Sequence, residues 1–421
     1  MSNWDKSGVA AAIDAHWNGS AFERRHREWL ASAIRDVARP GSLLEAGCGT
    51  GLVYEAVRAL PQVQSYCGVD SSREMLAIAA ARYPSAVWRH GDLRLLERES
   101  ADTVVCAEVL GHIDGDLVEE FRALILAARD TAVISLWGGQ TALSGGETIL
   151  GANFSKHVRT FPAIEAAISS AVPDAYIVER RCSGENVCYV IRRRLVHTVI
   201  VGSYNRPGYV REALRSVMQQ DYAAWQLIVS DDGSSSETVG TLLSELGEDK
   251  RCRLLQAPAT PPGPRPSGNI RAVERINDAI PLVTGDIVHY LPDDDWFLPG
   301  RFTAFNGAFR NPAVRMAYGT LRFADDGTMH PTDRIDAVAA VHEPHCSVDQ
   351  TQVAHRVDCF RAVPRWPTKD IGYTADGLFY QALCRAGCGP IHPVNAQVSV
   401  HRRHRLNMSR QQRAEIGDTR E

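Results

Sequence analysis

The stretch LLEAGCGTGLVYEAV, residues 43–57, sets Gly47, Gly49 and Gly51 directly after an apolar run that ends in Glu45. Glycines at alternate positions strip side chains from the point where a strand turns into a helix. Main-chain amides can then approach a ligand, and the backbone can take positive φ without a Cβ penalty. An ordinary tight turn would explain one such glycine. Three in five positions, with a strand before and a helix after, read as a cofactor loop. The spacing is G-x-G-x-G, whereas a dinucleotide fingerprint needs G-x-G-x-x-G.

Working outward, short β-rich runs alternate with helical ones. SLLEAG, SYCGVD, AVWRHGD, ADTVVCAEV and TAVISLW read as strands, and VYEAVRAL, REMLAIAAARY and LVEEFRALILAAR as the helices between them. That alternation predicts a doubly wound parallel sheet. AYIVERRC and NVCYVIRR follow closely enough in sequence to pair antiparallel at its edge. The cycle then restarts with strand HTVIVGSYN, helix VREALRSVMQQ and strand QLIVSDDGS, and a later strand, DIVHYLPDDD, ends in three carboxylates. We place a domain boundary near Arg194, with a short linker, because no Gly/Ser or Pro tract separates the halves. The Pro-rich stretch APATPPGPRPSGN, 257–269, reads as a loop inside the second half.

A chain of 421 residues, 44% hydrophobic and 23% charged, is long enough for two domains with their own cores. A formal net charge of −4 supplies no global basic field, so nucleic acid is not an expected partner. The basic runs IRRRLVH and HRRHR read first as solvated surface. The ten cysteines lack C-x-x-C spacing and several sit in apolar strand-like runs, which points to reduced, buried thiols. The first residues, acidic and polar, do not resemble a signal peptide, and no segment reaches ~18 uninterrupted apolar residues. The expectation is a soluble, cytoplasmic protein without a transmembrane span.

In a doubly wound sheet the ligand lies beyond the carboxyl ends of the strands. Here three consecutive strand ends carry Glu45 with the glycine loop, Asp70 and Asp92. A carboxylate at the second strand end suits a ribose diol, and Asp92, in HGD, suits an adenine amino group. The set LEAGCGTG, GVD and HGD, followed by ADTVVCAEVLGHI, resembles the class I S-adenosylmethionine-dependent methyltransferases over residues 1–194. The resemblance implies a Rossmann-like seven-stranded sheet and cofactor contacts from Glu45, Gly47, Gly49, Gly51, Asp70 and Asp92. Methyl transfer from a sulfonium needs mainly alignment. Where a base is used, His112 in EVLGHID is the candidate.

The second half, from HTVIVGSYNRPGYVREALRSVMQQDYAAWQLIVSDDGSSSET through RAVERINDAIPLVTGDIVHYLPDDDWFLPGRF, resembles family 2 glycosyltransferases of the GT-A fold, and we assign it to residues 195–421. A nucleoside diphosphate needs a platform for its base and a way to neutralise two phosphates. The resemblance implies a nucleotide-sugar site at Ser203, Tyr204, Arg206, Asp231, Arg271 and Asp293. Tyr204 would stack on the base, Asp231 would accept a pyrimidine N–H, and Arg271 would reach base or phosphate. Asp293, Asp294 and His404 would hold Mn or Mg. The family's acid-x-acid spelling is altered, since Pro292 fills its first position, and Asp295 is left without an assigned role. YTADGLFYQALCRAG resembles the segment that supplies the base, which maps to Asp376. HRRHRLNMS resembles the closing Y-R-x-H segment, with His401 in the aromatic position and Arg402 and His404 matching. The group HEPHC, with His355 and Cys359 beyond, has no strong zinc spacing.

The reading is a bifunctional enzyme. It takes a sugar from a UDP- or TDP-linked donor, with inversion and a metal, to a sugar, natural-product or polysaccharide acceptor. It also methylates the same or a related product with S-adenosylmethionine. The alternatives are a glycosyltransferase with a silent cofactor-binding scaffold, and a nucleotidyltransferase fusion.

Overall fold

The structure is a computed structural model that describes residues 8–149, 152–258, 268–325, 328–345, 347–369 and 374–404. Most of the Pro-rich stretch, Cys346 of HEPHC and the chain beyond His404 lie outside the described residues. The chain divides into two compact units, Met1–Arg194 and Leu195–Glu421.

The first unit runs α1 (Val9–Gly19), α2 (Ala21–Val37), β1 (Gly41–Ala46), α3 (Leu52–Val57), β2 (Val63–Asp70), α4 (Arg73–Arg82), β3 (Val87–His90), β4 (Ala101–Ala107), α5 (Val118–Ala127), β5 (Ala128–Gly139), β6 (Leu143–Ile149), β7 (Ala152–Thr160), α6 (Phe161–Ala171), β8 (Tyr176–Ser183) and β9 (Asn186–Arg192). Strands lie in the order β3-β2-β1-β4-β5-β9-β8, with the β6–β7 hairpin joined to β5. The first five are mutually parallel, and β9 pairs antiparallel with β5 and β8.

Both faces of this sheet are covered, and neighbouring residues show it. Leu43, Val105 and Val133 pack with Leu30, Ile34, Val53 and Val57 of α2 and α3. Leu44, Val104 and Ile134 pack with Phe121, Leu124 and Ile168 of α5 and α6. Since successive strand side chains point to opposite faces, a strand buried on both sides must be apolar at nearly every position. Each such side chain contributes about 1.5–3 kcal/mol by leaving water. The chain runs outward from β1 through β2 to β3, then returns to β4 on the other side of β1. That switch point opens a crevice at the strand ends.

The second unit repeats the device. Its elements are β10 (His197–Ser203), α7 (Pro207–Met218), β11 (Trp225–Asp231), α8 (Ser236–Leu246), β12 (Cys252–Gln256), α9 (Gly268–Ala279), β13 (Ile287–Pro292), β14 (Trp296–Phe297), α10 (Arg301–Phe309), β15 (Met316–Asp325), β16 (Thr328–Ile335), β17 (Val353–Arg356), α11 (Cys359–Ala362), α12 (Ala375–Leu383) and β18 (Ile391–Arg403). The sheet order is β12-β11-β10-β13-β17-β15-β18-β14, with β16 on β15. Val199 and Leu227 face α7 and α8, while Ile200, Ile228 and Val288 face α9 and α12. The switch falls between β10 and β13, with Gly202 beside Pro292 and Ser203 beside Asp231.

Both basic runs depart from the surface expectation. Arg192 is buried and bonded to Asp130, Thr131 and the Val37 carbonyl, and Arg402 and His404 are buried as well. Among the nine described cysteines, all free, Cys48, Cys106, Cys188, Cys359 and Cys388 are buried, and Cys182 is exposed.

Candidate functional sites

Within the first unit, a cavity of about 310 Å³ opens at the switch point, and Glu45, Gly47, Gly49, Asp70, Asp92 and His112 all line it. The glycines stand at φ 75°, 49° and 81° for Gly47, Gly49 and Gly51. A Cβ on Gly47 would lie 2.2 Å from Val109 Cγ2, so that position is closed to any side chain. Gly51 does not line the cavity. It caps α3, and a Cβ there would meet Trp88 at 2.7 Å. Asp70 Oδ2 accepts the Gly49 N–H at 2.8 Å and Oδ1 accepts that of Ser72 at 2.8 Å, so the acid ending β2 also ties down the bare loop. Glu45 is buried and accepts from the Tyr66 hydroxyl. Burial pushes its carboxyl up to about 8 despite that bond, and Asp70 adds to the rise. Asp92 accepts the Arg94 N–H at 2.8 Å and starts a short 3₁₀ turn, Leu93–Leu95. His112 Nδ1 lies 2.6 Å from the Ser155 carbonyl on β7, so Nδ1 carries the proton. Its ring meets Trp137 edge-on at 4.9 Å.

Sequence reasoning gave no role to Trp17 on α1, His26 and Arg27 on α2, or Glu108, all of which line the same cavity. No local spacing marks the helical residues as site residues. Glu108 had one signal, its place immediately after strand β4.

In the second unit the candidate residues meet at the ends of β10, β11 and β13. Ser203 and Asp231 are register partners, and both are buried. Asp231 Oδ2 accepts the Ser234 N–H at 2.9 Å, but Asp231 Oδ1 and Ser203 Oγ are buried with no hydrogen-bond partner among the described residues. Two adjacent orphaned oxygens at a switch point are what a ligand N–H or O–H would satisfy. Arg271 sits over the Tyr204 ring at 4.7 Å and pairs with Asp232, so one face of that ring is already covered.

Asp293 accepts from the Tyr204 N–H at 2.9 Å and from Arg206 at 3.0 Å; Arg206 also reaches Asp294 Oδ2 at 2.7 Å. Burial, then the charge of Asp294, pushes Asp293 up to about 7. Burial would raise Asp294 too, but its bond to His404 and the Arg206 charge hold its carboxyl below the usual range. His404 Nε2 stands 3.0 Å from Asp294 Oδ2, which joins a carboxylate and an imidazole at one point. Asp295, left without a role above, is a structural anchor: buried, it accepts the Arg402 N–H at 2.8 Å and faces His401 Nδ1 at 3.1 Å.

Asp376 lies in the first turn of α12. Its carboxylate takes the Gly377 N–H at 2.8 Å and the Gln350 N–H at 3.1 Å. Burial and the charge of Asp349 nonetheless push it up to about 7. His355 of the weak zinc grouping is fully buried and bonded to Tyr290 and the Arg356 carbonyl, and no group of three metal-ligating side chains occurs among the described residues.

Each unit is thus an α/β domain with polar side chains gathered at a switch point, where such sheets bind ligands. Residues 44–134 match a methyltransferase domain family, and residues 198–371 match glycosyl transferase family 2. The chain therefore carries a methyltransferase domain followed by a family 2 glycosyltransferase domain. It is similar to CgeD of Bacillus subtilis (strain 168), 27% identical over 168 residues, with 38% of each chain covered. It is also similar to a dTDP-3-amino-3,6-dideoxy-alpha-D-glucopyranose N,N-dimethyltransferase of Streptomyces fradiae, 29% identical over 175 residues, covering 37% of this chain and 67% of that one. Among solved structures, S. aureus TarS aligns at 16% identity and a TM-score of 0.38, covering 53% of this chain and 40% of that one. The alignment thus spans 38% of CgeD's length.

Proposed function

We propose that the chain is a bifunctional transferase: an inverting, metal-dependent glycosyltransferase using a UDP- or dTDP-linked sugar, joined to an S-adenosylmethionine-dependent methyltransferase acting on the same or a related product. The observation that carries the sugar-transfer reading is the pairing of Asp231 and Ser203, two buried oxygens without partners among the described residues, with a carboxylate of raised pKa at Asp376. Asp231 accepts the imide N–H of the donor's pyrimidine, and the Tyr204 ring stacks on the base. Asp376 takes the acceptor hydroxyl's proton as that oxygen attacks the anomeric carbon opposite the diphosphate, a single displacement that inverts configuration. Asp294 and His404 suit Mn in donor chemistry and would hold it once Arg206 withdraws; the ion, when bound, supplies positive charge for the leaving diphosphate.

In the first domain Asp70 and Asp92 accept from the ribose hydroxyls and adenine amino group, while Gly47 and Gly49 let backbone amides close on the ligand. S-adenosylmethionine supplies an electrophilic methyl when bound, and the protein's task is to align the acceptor with it. The deciding experiment is calorimetric titration of the whole chain with S-adenosylhomocysteine and with UDP and dTDP, each with and without Mn. Saturable binding of both ligand classes is expected. Nucleotide binding alone would reduce the first domain to a scaffold, and binding of neither would end the proposal. The amine-bearing substrate named for the Streptomyces relative, tested beside its hydroxyl counterpart, probes the methyl acceptor.

A further inference from the structure

Glu108 is the cavity carboxylate that the cofactor reading leaves unused. Glu45 is bonded to Tyr66, Asp70 to the Gly49 and Ser72 amides, and Asp92 to the Arg94 amide. Glu108 follows β4 at φ 60°, a left-handed conformation that a non-glycine residue holds only when its surroundings impose it. Its N–H is fixed to the Ser135 carbonyl at 3.0 Å. Oε1 accepts from Ser135 Oγ at 3.0 Å and lies 3.1 Å from His26 Nε2. Asn186 Nδ2 lies 3.1 Å from His26 Nδ1 and so holds the imidazole beside Glu108, although His26 Nε2 itself has no hydrogen-bond partner among the described residues. The Ser135 hydroxyl on β5 thus holds one oxygen of this carboxylate, with the His26 ring of α2 beside it. Oε2 has no hydrogen-bond partner among the described residues, and the residue lines the cavity with His112.

We propose that Glu108 is the acceptor-side carboxylate of the methyltransferase cavity and that the group it receives is a primary or secondary amine on a polar carrier such as an amino sugar. This rests on the methyltransferase reading above. A carboxylate with one fixed and one open oxygen accepts a single N–H and points the amine's lone pair. A neutral amine attacks with its own lone pair, and one that arrives as ammonium first gives a proton to Glu108 or water; a hydroxyl is a poor nucleophile until it loses its proton. The nitrogen lone pair forms the N–C bond as the methyl donor's C–S bond breaks toward sulfur, which becomes a neutral thioether, and the new ammonium sheds its proton to Glu108 or water.

The test uses the full chain, radiolabelled S-adenosylmethionine and matched UDP- and dTDP-linked hexoses that differ only in amino or hydroxyl at one carbon, together with the corresponding free hexoses. The amino members are expected to be methylated at least about tenfold faster. Glu108→Gln should keep S-adenosylhomocysteine affinity and melting temperature while losing about tenfold or more in kcat/KM toward the amine. Ser135→Ala, which frees Oε1 without touching the acceptor, should give a smaller loss of the same kind. Preference for hydroxyl, unchanged amine kinetics in Glu108→Gln, or a loss of S-adenosylhomocysteine affinity with it would overturn the assignment. If the parent binds S-adenosylhomocysteine yet methylates neither member, the amine inference falls and the cofactor reading stands. If it binds none, the methyltransferase reading itself has failed.

Discussion

Asp376 combines a helix-start position, two backbone N–H bonds, deep burial and a neighbouring carboxylate, and burial first, then the Asp349 charge, sets its behaviour. A base works only when deprotonated, and with its carboxyl raised to about 7 the proposed sugar transfer should gain rate as pH rises through about 7 and fade below it. Replacing Asp349 with Asn removes the charge that opposes ionisation, so the acidic limb of the pH–rate profile should move down. Asp376→Asn, nearly isosteric, should leave nucleotide binding intact and lower turnover by ~10² to 10⁴. Full activity in that variant would return the search to other carboxylates. Asp70 carries a different load, because it ties the glycine loop and is also the proposed partner of the cofactor ribose. Asp70→Ala should cost about 1.5–3 kcal/mol of S-adenosylhomocysteine affinity, tenfold or more, and calorimetry reads this directly.

At the scale of elements, the loop after β1 and the end of β18 are the joints that hold the two sites. Gly47→Ala must place a Cβ against Val109 at a φ of 75°, where the left-handed backbone alone costs about 1–2 kcal/mol. Its denaturation midpoint should drop accordingly, and cofactor affinity with it. At β18, burial works against a charged His401 ring, but the Asp295 carboxylate overrides it and pushes the imidazole up to about 10. A folded pKa above the unfolded value near 6.5 contributes stability in full below that value, and the contribution is lost as pH rises through about 10. The stability gap between the parent and His401→Gln, measured by urea unfolding, should therefore narrow between pH 7 and 10. Deeper in the same unit a directional chain runs from a buried guanidinium through two uncharged rings. Arg301 donates to His289 Nδ1 at 3.2 Å, His289 and His197 share a 2.8 Å contact, and His197 Nε2 reaches Asn306 Oδ1 at 3.0 Å. Burial drives both rings well below their usual range, so they serve as neutral relays.

For the whole molecule, each compact unit has its own sheet, its own two-sided core and its own switch point, divided at Arg194 and Leu195. Segments 1–194 and 195–421, expressed separately, should each fold cooperatively and bind their own ligand class. Aggregation of the second segment, or loss of its nucleotide binding while the full chain retains it, would mean that the units depend on one another.

The sequence by itself determined the two strand-and-helix cycles, because strands buried on both faces must be apolar at almost every position, and that pattern is local. It also determined the glycine loop and the acids at strand ends, since a bare backbone and a terminal carboxylate leave their mark within a few residues. The β6–β7 hairpin went unread: LSGGETI, with its paired glycines and polar residues, carries little alternation, and its partner strand is fixed by long-range pairing to β5. The basic runs looked like surface because an arginine's burial depends on carbonyls and carboxylates far along the chain, as Arg402 has Glu212 and the Asp294 carbonyl. Glu108 belongs to the same class. Only tertiary structure brings Ser135 and the His26 ring, itself held by Asn186, to one carboxylate, because contacts over about 3 Å in space leave no periodicity in the sequence.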